Sequence, residues 1–135
     1  MATLDPHDLG DLARQFVTER HLATLTTLRD DGTPHVVPVG FTYDEAAGLA
    51  RVITRAGSVK ARNADRNRRA VVSAVDGGRW ISIEGNARVT ADPGAVAEAV
   101  RRYAERYRQP GERDDRVAIE IVVDRVMCGR SLVAG

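Results

Sequence analysis

The chain has 135 residues, 43% apolar and 29% charged, and a formal net charge of only +1. This composition describes one soluble globular domain, residues 1–135, with no apolar run near the ~20 residues that span a membrane. A net charge so near zero, with 4% aromatic residues, excludes a nucleic-acid binder built on a basic surface with interleaved stacking rings.

Residues 1–11 carry neither the basic region nor the apolar core of a signal peptide. The single cysteine, Cys128, has no disulfide partner and no metal-ligand spacing around it, so no metal is expected and the cytoplasm is the expected location.

In chain order, Asp5-Pro6 reads as a helix start, a capping carboxylate followed by a proline suited to the first turn. Leu9, Leu12, Ala13, Phe16 and Val17 continue at helical spacing, predicting a helix over 6–20. Residues 21–28 and 35–43, separated by Asp30-Asp31-Gly32-Thr33-Pro34, predict a hairpin. A third strand covers 49–55. Ala56-Gly57-Ser58 ends it, and Ser58 is placed to cap a short helix over 59–67. Strands over 70–75 and 79–91 follow, joined by Asp76-Gly77-Gly78, with a bulge or bend expected at Gly85. Asp92-Pro93 opens a second long helix, whose apolar stripe is Val96, Val100, Tyr103, Ala104 and Tyr107. A final strand runs over 117–127. On it Glu120, Asp124 and Arg125 read as members of a half-exposed strand, and Cys128 as a small packing residue. About six strands joined mostly by short turns predict a mainly β, antiparallel split barrel with flanking helices.

Charge is concentrated in one place. Arg51, Arg55, Lys60, Arg62, Arg66, Arg68 and Arg69 stand against a single acid, Asp65, a local +6 that leaves −5 for the rest of the chain. Lys60 is the only lysine beside nineteen arginines. It follows a strand end, a glycine turn and a helix start, where unpaired amides, the hydroxyls of Thr54 and Ser58 and the forked guanidinium of Arg55 or Arg62 would cradle a phosphate. A capped helix with a solvated basic face is the competing reading. No dinucleotide or P-loop motif is present.

The segments HLATLTTL (21–28) and DGTPHVVPV (31–39), RVIT (51–54), SVKARN (58–63), DGGRWISIEG (76–85) and RYAERYR (102–108) resemble the pyridoxamine-phosphate-oxidase-like split β-barrel family. Within it they are most similar to the actinobacterial deazaflavin-dependent reductases, and among these to the subgroup that reduces biliverdin with coenzyme F420. The resemblance covers residues 9–132. It implies a homodimer with the cofactor between subunits, and hydride delivery from the deazaflavin to a small-molecule acceptor. Lys60, Ser58, Thr54 and their neighbours Ile53, Arg55 and Val59 would hold the phosphate. His35, Val36, Val37, Pro38, Val39 and Gly40 would lie along the ring system. Asn63, Arg79 and Trp80 would be further contacts, although Trp80 reads equally as core. His35 and Arg79 are the candidates for a proton donor; the expected source is instead solvent or an arginine-bound substrate. His7 and His21 read as structural or exposed.

Two other functions remain open on the sequence. One is an FMN-dependent oxidase or reductase on the same barrel. The other is a module that binds a cofactor or tetrapyrrole without turnover.

Overall fold

The computed structural model describes residues 1–133. Its elements in chain order are β1 (Ala2–Leu4), α1 (Asp11–Thr18), β2 (Ala23–Leu28), β3 (Pro34–Val39), β4 (Thr42–Asp44), β5 (Leu49–Arg55), α2 (Val59–Asn67), β6 (Arg69–Asp76), β7 (Arg79–Thr90), α3 (Pro93–Arg106) and β8 (Arg116–Cys128), then a single 3₁₀ turn, Arg130–Leu132. The strands form one antiparallel sheet in the order β3-β2-β6-β7-β8-β5-β4, with β1 added beside β8. This is the open, split-barrel arrangement the turn pattern predicts. No helix among the described residues is long and apolar enough to cross a membrane.

Local chemistry accounts for the element ends. Gly32, at φ 85°, turns the β2–β3 hairpin, and Asp31 Oδ1 accepts from the Thr33 amide at 3.0 Å. Ser58 Oγ accepts from the Ala61 amide at 3.2 Å and starts α2. Asp92 Oδ2 accepts from the Ala95 amide at 2.9 Å and, with Pro93 in the first turn, starts α3. The register of β7 on β8 shifts between Glu84 and Gly85, the bulge expected there. A side chain at Gly85 would come within 2.0 Å of the Val122 carbonyl oxygen. Phe16, Leu25, Phe41, Val52, Val72, Ile81, Ile83, Ile119, Ile121 and Val126 are fully buried in one apolar cluster that includes Cys128.

Four expectations need correction. Among the described residues there are eight strands rather than about six, because β1 and β4 are only three residues each. The first helix begins at Asp11, since Asp5-Pro6 forms a tight turn closed by the Asp8 amide on the Asp5 carbonyl at 3.0 Å. The strand expected over 35–43 breaks after Val39, where Gly40 passes under the rings of Tyr103 and Tyr107. Glu120 is 8% exposed rather than half-exposed, and Arg88 Nε donates to it at 2.8 Å.

Candidate functional site

A groove of about 540 Å³ opens between β3, the β5–α2 junction, α3 and the start of β8. It is the size of a pocket for a cofactor or small substrate. Its β3 wall is His35, Val37, Pro38, Val39 and Gly40; its second wall is Ile53, Thr54, Arg55, Ser58, Val59 and Lys60. The period-2 alternation of a strand explains His35, Val37 and Val39, while Pro38 reaches the groove although it shares the face of Val36. His35, Val37 and Val39 turn one way, while Val36 turns the other and is 55% exposed.

The β5–α2 junction is chemically prepared for an anion. Thr54 Oγ1 donates to Ser58 Oγ at 3.1 Å, and the Ala61 amide donates to the same oxygen at 3.2 Å. With two acceptor positions of Ser58 used, its own hydrogen is free to donate. The amides of Val59 and Lys60, in the first turn of α2, lie outside the helical ladder. Lys60 lines the groove beside this turn. Partial burial and the neighbouring Arg55 hold its ammonium below the ordinary value.

Two further cations arrive from the other end of the chain. Register places Arg55 directly opposite Arg116 on β8, a like-charge pair that disfavours the sheet. Arg113, from the preceding loop, also lines the groove. It is held by Asp115 at 2.9 and 3.2 Å, and this pairing depresses the Asp115 carboxyl. The loop is anchored by the Ala56 amide on the Asp115 carbonyl at 2.8 Å. Arg55, Lys60, Arg113 and Arg116 thus share one end of the groove.

The basic stretch itself is dispersed. Arg51 is 3.1 Å from Asp44, Arg66 bonds Asn63 at 2.9 Å, and Arg69 lies 2.6 Å from Asp124. Of its seven cations only Arg55 and Lys60 reach the groove.

Tyr103 and Pro110 complete the lining. Tyr103 is held by its tilted neighbour Tyr107, 4.9 Å between centroids. The Tyr107 hydroxyl donates to the His21 carbonyl at 2.6 Å and accepts from the Phe41 amide at 3.2 Å. Arg106 Nε donates to the Glu19 carbonyl at 2.8 Å. These bonds strap the end of α3 to the α1–β2 connection and to Phe41, just before β4.

Eleven of the predicted contacts therefore line one groove, and four do not. Val36 points away. Asn63 is buried, with Nδ2 donating to Thr27 Oγ1 at 3.2 Å, and joins α2 to β2. Arg79 lies 2.6 Å from Asp76 and 3.0 Å from Glu19, over the Phe16 ring. Trp80 packs against Gly129, whose amide donates to the Trp80 carbonyl at 3.2 Å. The Nδ1 of His35 is buried without a hydrogen-bond partner among the described residues. Sequence reasoning missed Tyr103, Pro110, Arg113 and Arg116. The one signal available was the arginine pair in the polar stretch before the last strand.

Residues 9–127 match the pyridoxamine 5'-phosphate oxidase family. A protein of Mycobacterium tuberculosis (strain CDC 1551 / Oshkosh), F420H(2)-dependent biliverdin reductase, is 54% identical over 125 residues, covering 93% of this chain and 91% of that one. The crystal structure of a conserved hypothetical protein from Mycobacterium tuberculosis superposes with a TM-score of 0.76 at 26% identity, over 99% of this chain and 98% of the other. An F420 reductase superposes with a TM-score of 0.68 at 23% identity, over 84% and 94%, a likeness of fold.

Proposed function

The chain belongs to the pyridoxamine 5'-phosphate oxidase family, and from that premise we propose that it is an oxidoreductase that reduces biliverdin to bilirubin with reduced coenzyme F420. The observation that carries this reading is the set of three cations at the groove without an acidic partner among the described residues, Arg55, Lys60 and Arg116, with Arg113 beside them held by Asp115. FMN presents one phosphate. F420 presents a phosphodiester and an oligoglutamate tail, so it answers more of that charge. The name of the relative at 54% identity supports the same cofactor and acceptor.

The residues present fit the cofactor. The like-charge pair Arg55–Arg116 and the depressed Lys60 ammonium are both relieved by a bound polyanion. Thr54, Ser58, Lys60 and the first amides of α2 would hold the phosphodiester; Arg113 and Arg116 would hold tail carboxylates. Val37, Pro38, Val39, Gly40 and Ile53 offer a largely apolar wall to a flat ring. Pro38 pairs with Thr24 on the terminal strand of the sheet, where a residue without an amide hydrogen is tolerated. When bound, F420H2 supplies the hydride.

The chain's own contribution is to bind, orient and exclude water. The Tyr107 and Arg106 bonds fix α3 so that Tyr103 closes over the groove beside Gly40. Arg79 is engaged by two carboxylates outside the groove, and His35 Nδ1 is enclosed by protein. The proton that follows the hydride is assigned to solvent. The chain is read as one cofactor-binding domain acting in the cytoplasm as a homodimer. An outward apolar face supports the dimer: Leu22, Val36 and Val75 are 70%, 55% and 69% exposed.

The test is titration of the apoprotein with F420 and with FMN, alongside Lys60→Ala, followed by addition of biliverdin to the F420H2 complex. Tight F420 binding that weakens in the variant, with bilirubin appearing, is the expected result. Preference for FMN overturns the cofactor, and binding without bilirubin overturns the acceptor.

A further inference from the structure

Of the four cations at one end of the groove, Arg55, Lys60 and Arg116 form no ion pair among the described residues, whereas Arg113 is already engaged. Its Nε and Nη2 donate to the two oxygens of Asp115 at 2.9 and 3.2 Å, the forked geometry in which a guanidinium takes a carboxylate. The main chain of Asp115 is fixed by the Ala56 amide on its carbonyl at 2.8 Å, so this acid stands beside the β5–α2 junction that Ser58 caps. Arg113 chiefly, and Arg55 more weakly, hold the Asp115 carboxyl below the ordinary carboxylate value. Asp115 is not itself part of the groove lining. The Arg113 and Asp115 side chains are each 49% exposed, and an ion pair so open to water is weak and exchanges partners readily. The neighbouring acids of the loop, Glu112 and Asp114, are exposed and form no ion pair among the described residues.

A negative charge beside a site for polyanions opposes its ligand. We propose that Asp115 is a resident counter-ion of the groove: it occupies the fork of Arg113 while the groove is empty, and it is displaced when an anionic group of the ligand takes that fork. The identity of the ligand rests on the F420 reading above; the exchange itself does not. Displacement breaks one forked pair to make another, and it leaves the freed carboxylate close to the bound anion. Asp115 therefore lowers affinity without shaping the pocket. A lowered affinity suits a hydride donor used once per turnover. Each F420H2 gives up one hydride and must leave to be reduced again, so the groove has to release its ligand as well as hold it.

The test is calorimetric titration of the apoprotein at low ionic strength with F420 and, separately, with inorganic tripolyphosphate, a polyanion that carries no ring. Asp115→Asn should tighten binding by about 3- to 10-fold, the worth of a weak exposed pair together with the repulsion it leaves behind. The gain should vanish in an Arg113→Ala background, because the two side chains act as one unit. Asp114→Asn removes the same charge one residue away from an acid that holds no cation, and should gain little. Unchanged or weaker binding of both ligands in Asp115→Asn, an equal gain in Asp114→Asn, or a gain that persists without Arg113 overturns the proposal. Tripolyphosphate tightened by Asp115→Asn in a protein that does not bind F420 supports the exchange and overturns the cofactor instead.

Discussion

Arg55 and Arg116 occupy directly paired positions on adjacent strands, and Lys60 is pressed below its ordinary pKa beside them. Neither arrangement helps the apoprotein fold, so binding and stability should separate at these positions. Arg116→Ala is expected to weaken F420 binding by about 10- to 100-fold, the worth of one charge-assisted contact. It should leave the apoprotein melting temperature unchanged or raise it. Fluorescence titration and calorimetry on the same samples check both halves, and a large loss of stability would show that Arg116 is structural. Lys60 allows a second check, through pH. Its folded pKa is below the unfolded value of 10.5, so in the window between the two the unfolded chain binds more protons. Apoprotein stability should therefore gain an increment as pH rises through that window. Below the folded pKa the repulsion is fully present. Lys60→Met should remove the increment, which denaturant melts at stepped pH would detect.

At the scale of elements, two backbone positions have opposite signs. A Cβ at Gly85 would meet the Val122 carbonyl oxygen at 2.0 Å, in the backbone of the paired strand. Gly85→Ala should cost about 2–4 kcal/mol or abolish soluble expression, because β7 cannot bulge away from β8 without breaking the longest ladder of the sheet. Arg68 ends α2 at φ 71°, where a side chain is strained and glycine is not. Arg68→Gly should stabilise by a few tenths to about 1 kcal/mol, read from the urea midpoint.

These element ends also show what was legible in the sequence. Strand β5 and helix α2 fall on the residues expected of them, because a glycine turn and a capping serine mark the boundary chemically. The β7 bulge was legible for the same kind of reason. Strand β1 was not: Ala2–Leu4 is too short to show a period, and it exists only through its pairing with β8. The groove divides the same way. Its two contiguous walls could be read from neighbouring residues. Tyr103, Arg113 and Arg116 reach it only through the strap at the end of α3 and the β5–β8 register, neither of which leaves a local mark. Counting charge along one window credited Arg51, Arg66 and Arg69 to a site, whereas each is committed to an acid or amide nearby in space.

For the whole molecule, the placement of apolar surface bears on assembly. Register sets Thr24 opposite Ser73 and Val75 opposite Trp80, so Leu22, Val75 and the exposed side of Trp80 lie near one end of the β2–β6–β7 face. Val36 adds to the same outward side through its pairing with Thr26 on β2. Large aliphatic residues that are two-thirds exposed in one chain gain most from a partner that covers them. The proposed dimer should therefore depend on Leu22 and Val75, while Leu12 and Val122, exposed at 41% and 43% on other elements, should be dispensable. Leu22→Asp combined with Val75→Asp should yield a monomer by sedimentation equilibrium. Its melting temperature should no longer rise with protein concentration, as an associating protein's does. Each buried aspartate would have to desolvate a charge with no partner, a cost that a modest interface does not offset. F420 affinity should fall along with dimerisation if the second subunit completes the groove, and stay unchanged if the groove of one chain suffices. A dimer that survives both substitutions would place the interface on another face.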